Sequence, residues 1–240
     1  MTILRFEGEL TEGVLLCRVN RFVAQVRTAQ GEVVAHVPNS GRLAELLFPG
    51  NRVLLRTAEG PGRRTRYTVI LARAGQVWAC LVSAYANALA REAAVAGCLP
   101  ELAEYGSWRP EVRWGGSRFD WWLSADDGRT CLVEVKGVTL VEDGDGLFPD
   151  APTERGARHL RELAEAAAGG QAAALVFAVL MAGARRILPH RRRDPAFAEA
   201  LAAAGRAGVR LLAFACEVSP VGIVPSRRLP VEWQGGDGAD

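Results

Sequence analysis

The sequence predicts an OB-like β-barrel in residues 1–83, followed by an α/β domain in residues 84–240. The first 83 residues consist of short β-patterned runs separated by Gly, Pro and Asn turns, with one short helical turn in the middle. After Ser83 the spacing of apolar residues becomes helical. The segments that follow have the order α-β-β-β-α-β-α-β, which is typical of helices packed on a central sheet.

In the barrel region the strands are predicted from β-patterned runs bounded by turn residues. They cover Thr2–Leu10, Val14–Val19, Phe22–Thr28, Val33–Val37, Arg52–Thr57, Arg66–Ala74 and Gln76–Val82. The helical turn is Ser40–Leu47, which Pro49 and Gly50 end. The open face of an OB-type barrel binds single strands or oligosaccharides, although a purely structural barrel would have the same pattern. The polar and aromatic candidates on that face are Arg21, Phe22, His36, Asn39 and Arg42.

In the second region the elements follow from changes between helical and strand periodicity. Helices are predicted at Ala84–Ala96, Thr153–Ala168 and Asp194–Gly205, and strands at Trp108–Trp114, Ser117–Ser124, Thr130–Thr139, Ala172–Met181 and Val209–Val218. Asp126-Asp127-Gly128 predicts a hairpin between the second and third strands of the region. Gly208 stops the last helix.

Composition limits the class of protein. With 49% hydrophobic and 23% charged residues, the 240-residue chain falls among soluble globular proteins. No apolar run is long enough for a membrane span, and charges at Arg5, Glu7 and Glu9 interrupt any signal-peptide pattern. We therefore expect a cytoplasmic protein that is not membrane-bound. The five cysteines are odd in number and widely spaced, which predicts buried thiols and neither a disulfide framework nor a zinc site.

Charged residues stand where two predicted strands would prefer carbon. Side chains alternate along a strand, so Glu134 and Lys136 share one face. Pairing with the preceding strand would bring Asp120 close to both. Two carboxylates can bind Mg²⁺, which polarises a phosphate and activates water, and a lysine can orient that water or stabilise negative charge. The alternative is an ordinary half-exposed antiparallel sheet.

Lys136 is the only lysine, since all the other basic residues among the 29 are arginines. A chain that uses arginine wherever a solvated cation suffices is expected to keep lysine where a compact ammonium matters. On the first helix of this region Glu92 is either a further metal ligand or the solvated edge of the helix. On the next helix Arg155 and His159 lie on one polar face, which either reaches a phosphate or forms solvated ion pairs.

Net charge is only +2, so the distribution of the basic residues is more informative than their sum. Basic clusters lie at residues 63–66, 185–193 and 227–228. Such clusters either contact phosphates or are simply solvated.

The chain resembles the sugar fermentation stimulation protein family over almost its full length. The resemblance rests on RVNRF (18–22), HVPNSGRL (36–43), LFPGNRV (47–53), ANALAREA (86–93), SRFDW (117–121), VEVKGVTL (133–140), FPDAPTERGARHLREL (148–163) and DPAFAEAL (194–201). It implies an N-terminal OB-like domain, a restriction-endonuclease-like domain of the PD-(D/E)xK type, DNA binding with little sequence preference, and a link to the regulation of sugar metabolism.

The resemblance places the nuclease motif on Asp120, Glu134 and Lys136, with Glu92 as a supporting acid. The chain departs from the family at three places: Gly137 replaces a usual Asn, Ser40 a usual Thr, and Leu180-Met181 a usual Gln-Arg. The last departure removes polar groups from the expected DNA groove, which bears on cleavage more than on binding.

Two main hypotheses follow. In the first, the protein is a nuclease in which Asp120, Glu134 and the carbonyl of Val135 hold Mg²⁺ or Mn²⁺ and Lys136 positions the attacking water. In the second, it binds DNA without cleaving it, on an inherited nuclease fold. The residues predicted to contact nucleic acid are Arg21, Asn39, Arg42, Arg118, Arg155, Arg158 and His159. A sugar-binding barrel is a third hypothesis, and single strand versus duplex, as well as a homodimer, are left open.

Overall fold

The structure is a computed structural model that describes residues 3–57 and 65–234. The barrel strands are β2 (Leu10–Asn20), β3 (Val23–Thr28), β4 (Gly31–His36), β5 (Arg52–Thr57), β6 (Tyr67–Ala74) and β7 (Val77–Cys80). The α/β domain comprises β1 (Leu4–Arg5), α1 (Tyr85–Val95), α2 (Pro100–Ala103), β8 (Ser107–Trp114), β9 (Ser117–Ser124), β10 (Thr130–Val138), β11 (Val141–Glu142), β12 (Asp145–Phe148), α3 (Glu154–Ala168), β13 (Ala172–Val179), β14 (Arg186–Pro189), α4 (Pro195–Arg206), β15 (Arg210–Ser219) and β16 (Gly222–Leu229).

Alternating side chains build the barrel. In β3, Ala24 and Val26 are buried while Gln25 and Arg27 are exposed, as a strand with one face on a core requires. The strand order is β4-β3-β2-β5-β6-β7, and β4 also pairs with β6, which closes the sheet. The predicted OB-like barrel is therefore confirmed. The predicted helical turn is a single turn, in which the Leu47 N–H donates to the Leu43 carbonyl at 2.8 Å.

The α/β domain has a seven-stranded sheet with the order β1-β16-β15-β13-β10-β9-β8. Its central strands β10, β13 and β15 are parallel, and the predicted hairpin joins the antiparallel pair β9 and β10. The α/β fold is thus confirmed. The predicted strand Thr2–Leu10 is wrong as a single element, because Leu4–Arg5 pairs with β16 while Leu10 begins β2. The sequence also missed β16, which carries Pro225 beside an irregularity in its pairing with β15.

The helices cover both faces of this sheet. On one face the buried side chains of α1 pack with β10, β13 and β16, and on the other α3 and α4 pack against the sheet and each other. Thr153 caps α3 by accepting from the Gly156 N–H at 3.0 Å, and Asp194 caps α4 by accepting from the Phe197 N–H at 2.9 Å. Asp194 also accepts from the Thr153 N–H at 2.8 Å, so one buried carboxylate fixes the start of both helices.

Within residues 3–57 and 65–234, no helix combines the length and apolar character needed to cross a membrane.

The barrel is joined to the α/β domain by backbone contacts at the end of β13. Ala79 forms a bridge with Met181, and the Cys80 N–H donates to the Leu180 carbonyl at 2.8 Å. Both Leu180 and Met181 are buried. This strand end, at which the sequence already lacks the polar groups of the expected DNA groove, packs as apolar contact between the two domains.

Candidate active site

The site lies where β9 and β10 separate. Their regular pairing ends with Val133 opposite Trp121, so Asp120, the neighbour of Trp121, lies just outside the paired region. Beyond that point the Asp120 side chain takes the backbone donor, because its Oδ2 accepts from the Val135 N–H at 2.8 Å. Its other oxygen, Oδ1, accepts from the Asn87 amide of α1 at 2.8 Å. Both oxygens of Asp120 are therefore fixed in place by neighbouring elements.

Glu134 is the most deeply buried acid of the site, with 3% of its surface exposed. Its Oε1 accepts from Nδ1 of His159 at 2.6 Å and forms an ion pair with the Lys136 ammonium. Its Oε2 is also buried, and no group within the described ranges hydrogen-bonds to it. A buried carboxylate oxygen without a donor is costly unless a cation or another donor satisfies it.

His159 connects the site to the cleft. Its Nε2 accepts from Nε of Arg155 at 3.3 Å, and because a guanidinium can only donate, the proton of the neutral ring sits on Nδ1 and points at Glu134. The ring packs against Phe119 and is only 1% exposed. The predicted contact of His159 with nucleic acid is therefore corrected: α3 turns this side chain into the interior, where it orients Glu134.

The two carboxylates have opposite pKa shifts. Burial, together with the nearby charge of Glu134, raises the pKa of Asp120 above its ordinary value. Burial would also raise the pKa of Glu134, but the hydrogen bond from His159 and the charge of Lys136 outweigh it and leave that pKa lowered. Two neighbouring acids that repel each other, one buried and one partly buried, are stabilised by a cation placed between them.

The donor set fits a hard divalent cation. Asp120 and Glu134 offer carboxylate oxygens, and Oε2 of Glu134 is the one without a partner in the described chain. Residues 3–57 and 65–234 contain no group of three or more acidic, histidine or cysteine side chains arranged to hold a metal. The remaining ligands would have to be water, backbone carbonyls or phosphate oxygens, as is usual for Mg²⁺.

Asn87, not Glu92, is the residue of α1 that reaches the carboxylates. Glu92 is half-buried and lies five positions further on, which places it roughly 140° around the helix from Asn87. Among the described residues no hydrogen bond or ion pair joins its side chain to Asp120 or Glu134. Sequence reasoning missed Asn87, although an amide among the alanines and the leucine of the first turns of α1 was a usable signal. The role of Glu92 as a supporting acid stays a prediction.

A cleft of about 760 Å³ is lined by residues of the barrel and of the α/β domain, among them Gly137, which directly follows Lys136 in the chain. Four of the residues predicted to contact nucleic acid line it, namely Arg21, Asn39, Arg42 and Arg155. Arg18 fixes the barrel side of the cleft, because its guanidinium donates to the carbonyls of Arg21 at 2.7 Å and Gly41 at 2.9 Å. The structure thus brings these four residues together in one cleft.

Arg118 and Arg158, the other two arginines predicted to contact nucleic acid, are exposed and do not line the cleft. Arg118 lies 3.4 Å from Glu111 in a surface ion pair. Of the basic clusters, Arg63 and Arg64 fall outside the described residues. Arg186 forms ion pairs with Asp145 and Glu232.

Two of the departures noted in the sequence pack against each other. A side-chain carbon added to Gly137 would lie 3.2 Å from Leu180 Cδ1 and 3.7 Å from Ala86 Cβ. The apolar Leu180 therefore occupies the space that a larger residue at position 137 would need. Gly137, directly after Lys136, and Leu180, directly after β13, therefore share one packing space.

A closed OB-type barrel joined to an α/β domain with an Asp, Glu and Lys cluster defines a two-domain protein with a restriction-endonuclease-like second domain. The model of the sugar fermentation stimulation protein RE domain matches residues 84–222, and that of the SfsA N-terminal OB domain matches residues 16–81. The chain belongs to the sugar fermentation stimulation protein family.

Relatives support this membership along the whole fold. A sugar fermentation stimulation protein homolog of Acetivibrio thermocellus is 44% identical over 216 residues, which are 90% of this chain and 92% of the relative. A homolog of Symbiobacterium thermophilum is 44% identical over 230 residues, covering 89% and 91%. The solved structure of Pyrococcus furiosus SfsA in complex with Ca²⁺ is 31% identical, with a TM-score of 0.87 over 97% of this chain and 99% of that chain.

Proposed function

We propose that this protein binds DNA with little sequence preference and hydrolyses phosphodiester bonds with Mg²⁺ or Mn²⁺ held by Asp120 and Glu134. The observation that carries the proposal is the buried Glu134, with one oxygen oriented by His159 and Lys136 and the other without a partner in the described chain. The Pyrococcus furiosus relative is described as a complex with Ca²⁺, which is also a hard, oxygen-binding cation. A role in regulating sugar metabolism, which the family description suggests, stays a prediction.

Each residue of the site has a defined part in this proposal. Asp120 and Glu134 would hold the ion, which when bound polarises the phosphate and lowers the pKa of a water molecule. Lys136 donates hydrogen bonds to the attacking water or to the charge that develops on the phosphate. His159 keeps the Glu134 carboxylate in one orientation. Arg42 and Arg155 neutralise the phosphates in the cleft and position the strand.

A second candidate is a DNA-binding protein that does not cleave. One observation that favours it is the ion pair of Lys136 with Oε1 of Glu134, which occupies one of the two carboxylate oxygens that could bind a metal. The other is that the described residues contain no cluster of three metal-binding side chains. Such a protein would act by occupying DNA, and its affinity would fall steeply with salt as phosphate contacts are lost.

The test is a cleavage and binding assay on the full chain, with labelled single-stranded and duplex DNA in Mg²⁺, Mn²⁺ or EDTA. The variants are Lys136→Met and Asp120→Asn, with Asp126→Asn as the matched control, because Asp126 is an exposed acid on the hairpin that joins the same two strands. We expect metal-dependent cleavage that falls at least about a hundredfold in the two site variants while binding persists. The control should cleave like the wild type.

Three results would change the proposal. Cleavage that survives in Asp120→Asn would place the reaction elsewhere. Binding without cleavage in any metal would favour the second candidate. Binding of an oligosaccharide by a protein that ignores DNA would favour the sugar-binding barrel.

A further inference from the structure

Phe22 is an exposed aromatic ring held in a fixed position on the barrel. Its side chain is 46% exposed and stacks on the His36 ring, with centroids 6.4 Å apart and planes at 25°. Its backbone is anchored on both sides, because the Phe22 N–H donates to Asn20 Oδ1 at 2.9 Å and its carbonyl accepts from the Val37 N–H at 2.8 Å. His36 covers one face of the Phe22 ring, and the exposed part of the ring is available to a planar ligand.

Phe22 does not itself line the cleft, but it directly follows two residues that do, Asn20 and Arg21. Its chain neighbour Arg21 lines the cleft, and Arg18 ties the Arg21 carbonyl to the loop that carries Gly41 and Arg42. Phe22 and the arginines are thus parts of one rigid unit. An aromatic ring beside guanidinium groups is the arrangement that binds unpaired nucleotides, in which a base stacks while the phosphates are neutralised.

The other end of the cleft is lined by two residues that adjoin the motif. Gly137 lines it and directly follows Lys136 in the chain. Arg155 also lines it and is hydrogen-bonded to His159, which in turn donates to Glu134. A strand that enters over Phe22 and follows the arginines would bring a phosphate to Lys136.

The charge of the cleft favours a polyanion. Its lining includes Arg18, Arg21, Arg42 and Arg155, against the single acid Asp150 among the lining residues described. Asp150 is engaged with its own protein, since its Oδ2 accepts from the Leu43 N–H at 2.9 Å. A neutral oligosaccharide would also stack on an aromatic ring, but it would leave these arginines without a counter-charge.

Size and stacking together select the form of nucleic acid. A volume of about 760 Å³ is that of a pocket for a ligand of moderate size, so it accepts a few nucleotides and not a double helix. Inside a duplex each base face is covered by its neighbours, whereas the bases of a single strand can stack on protein side chains.

We propose that the cleft binds an unpaired DNA strand, whose phosphates follow the arginines and one of whose bases stacks on Phe22. This rests on the proposed function, because it names the substrate of the same site.

The experiment measures the affinity of the full chain by fluorescence anisotropy in EDTA, so that no cleavage interferes. Three probes of about twelve nucleotides are compared: oligo(dT), the same backbone without bases, and a duplex. The variant is Phe22→Ala, and its matched control is Phe48→Ala, because Phe48 is 47% exposed on the same domain but, unlike Phe22, has no chain neighbour that lines the cleft.

We expect the wild type to bind oligo(dT) more tightly than the duplex. Phe22→Ala should lower the affinity for oligo(dT) about tenfold, the effect of losing one stacked base, and leave the affinity for the abasic strand unchanged. Phe48→Ala should match the wild type on all probes.

Two outcomes would overturn the inference while DNA binding stands: duplex bound as tightly as oligo(dT), or an effect of Phe22→Ala no larger than that of Phe48→Ala. Absence of binding to every probe would overturn the inference and the proposed function together. Single-strand preference in a protein that cleaves nothing with Mg²⁺ or Mn²⁺ would support the inference and overturn only the cleavage step.

Discussion

Nδ1 of His159 lies 2.6 Å from Oε1 of Glu134, and both side chains are almost completely buried. The donor comes from α3 and the acceptor from β10, so the contact sets how the helix sits over the motif. A buried carboxylate that loses one of its donors is left partly uncompensated, and its orientation is no longer fixed.

The first prediction concerns this contact. His159→Leu should lower the free energy of unfolding by about 1–3 kcal/mol, because it removes a donor from a buried acid. It should also reduce the cleavage rate at saturating DNA while KM changes little, since the ring does not face the cleft. His159→Asn, whose amide can still donate toward Glu134, should recover part of both. Urea unfolding and steady-state cleavage provide the measurements.

His190→Asn is the control for that series, because His190 lies outside the site and a substitution there should change stability by less than about 0.5 kcal/mol. If His159→Asn were as damaging as His159→Leu, the packing of the ring and not its hydrogen bond would be the important feature.

The second prediction concerns the packing of Gly137 on Leu180. Gly137→Asn should destabilise the protein by about 1–3 kcal/mol, because the new side chain begins 3.2 Å from Leu180 Cδ1. Combining it with Leu180→Gln should recover part of the loss. Gly106→Asn is the matched control, since Gly106 has open space around it and no unusual backbone angle. The test is thermal or urea unfolding of the wild type, the two single variants, the double variant and the control, and additive effects of Gly137→Asn and Leu180→Gln would contradict the coupling.

The third prediction concerns the ion pair between Glu45 of the barrel and Arg193 of the α/β domain. Burial would raise the pKa of Glu45, but the hydrogen bond from Arg193 outweighs it and lowers that pKa. The pair therefore adds stability above the unfolded pKa of about 4.3, and this stability is lost as the pH falls through the lower folded value.

A double-mutant cycle with Glu45→Gln and Arg193→Gln should give a coupling of about 0.2–1 kcal/mol at neutral pH and a smaller one near pH 3. The more exposed pair Arg27–Glu32 within the barrel is the control and should couple more weakly. A Glu45–Arg193 coupling that is unchanged at pH 3 would show that it does not arise from charge.

The fourth prediction concerns the thiols. Burial raises the pKa of Cys80 and of Cys131 to about 12, and it raises those of Cys98 and Cys216 as well. The reactive thiolate is therefore scarce at pH 8. A thiol reagent should label only Cys17 of the native protein rapidly, since its side chain is the one that is partly exposed, and should label all five after denaturation. Cys17→Ser should abolish the fast phase, and rapid labelling of a second thiol would contradict the packing.

Local sequence pattern was enough for much of the fold and for the centre of the site. Period-two alternation in Ser117–Ser124 and in Thr130–Thr139, with a turn between them, predicted a hairpin that would bring Asp120 near Glu134 and Lys136. The observed strands β9 and β10 have nearly those bounds, and Asp120 bonds to the backbone of Val135 between the other two motif residues. Such features depend on residues close in the chain, so their spacing predicts them.

Contacts between distant segments were decided only by the tertiary structure. Periodicity assigns a side chain to one face of an element, but it does not say which other element covers that face. For this reason the sequence could not show that α3 buries His159 on Glu134, that Asn87 reaches Asp120, or that Leu4–Arg5 leaves the barrel to pair with β16. The chemical groups of the site were thus readable in the sequence, whereas their orientation and the cleft beside them required the packing of two domains.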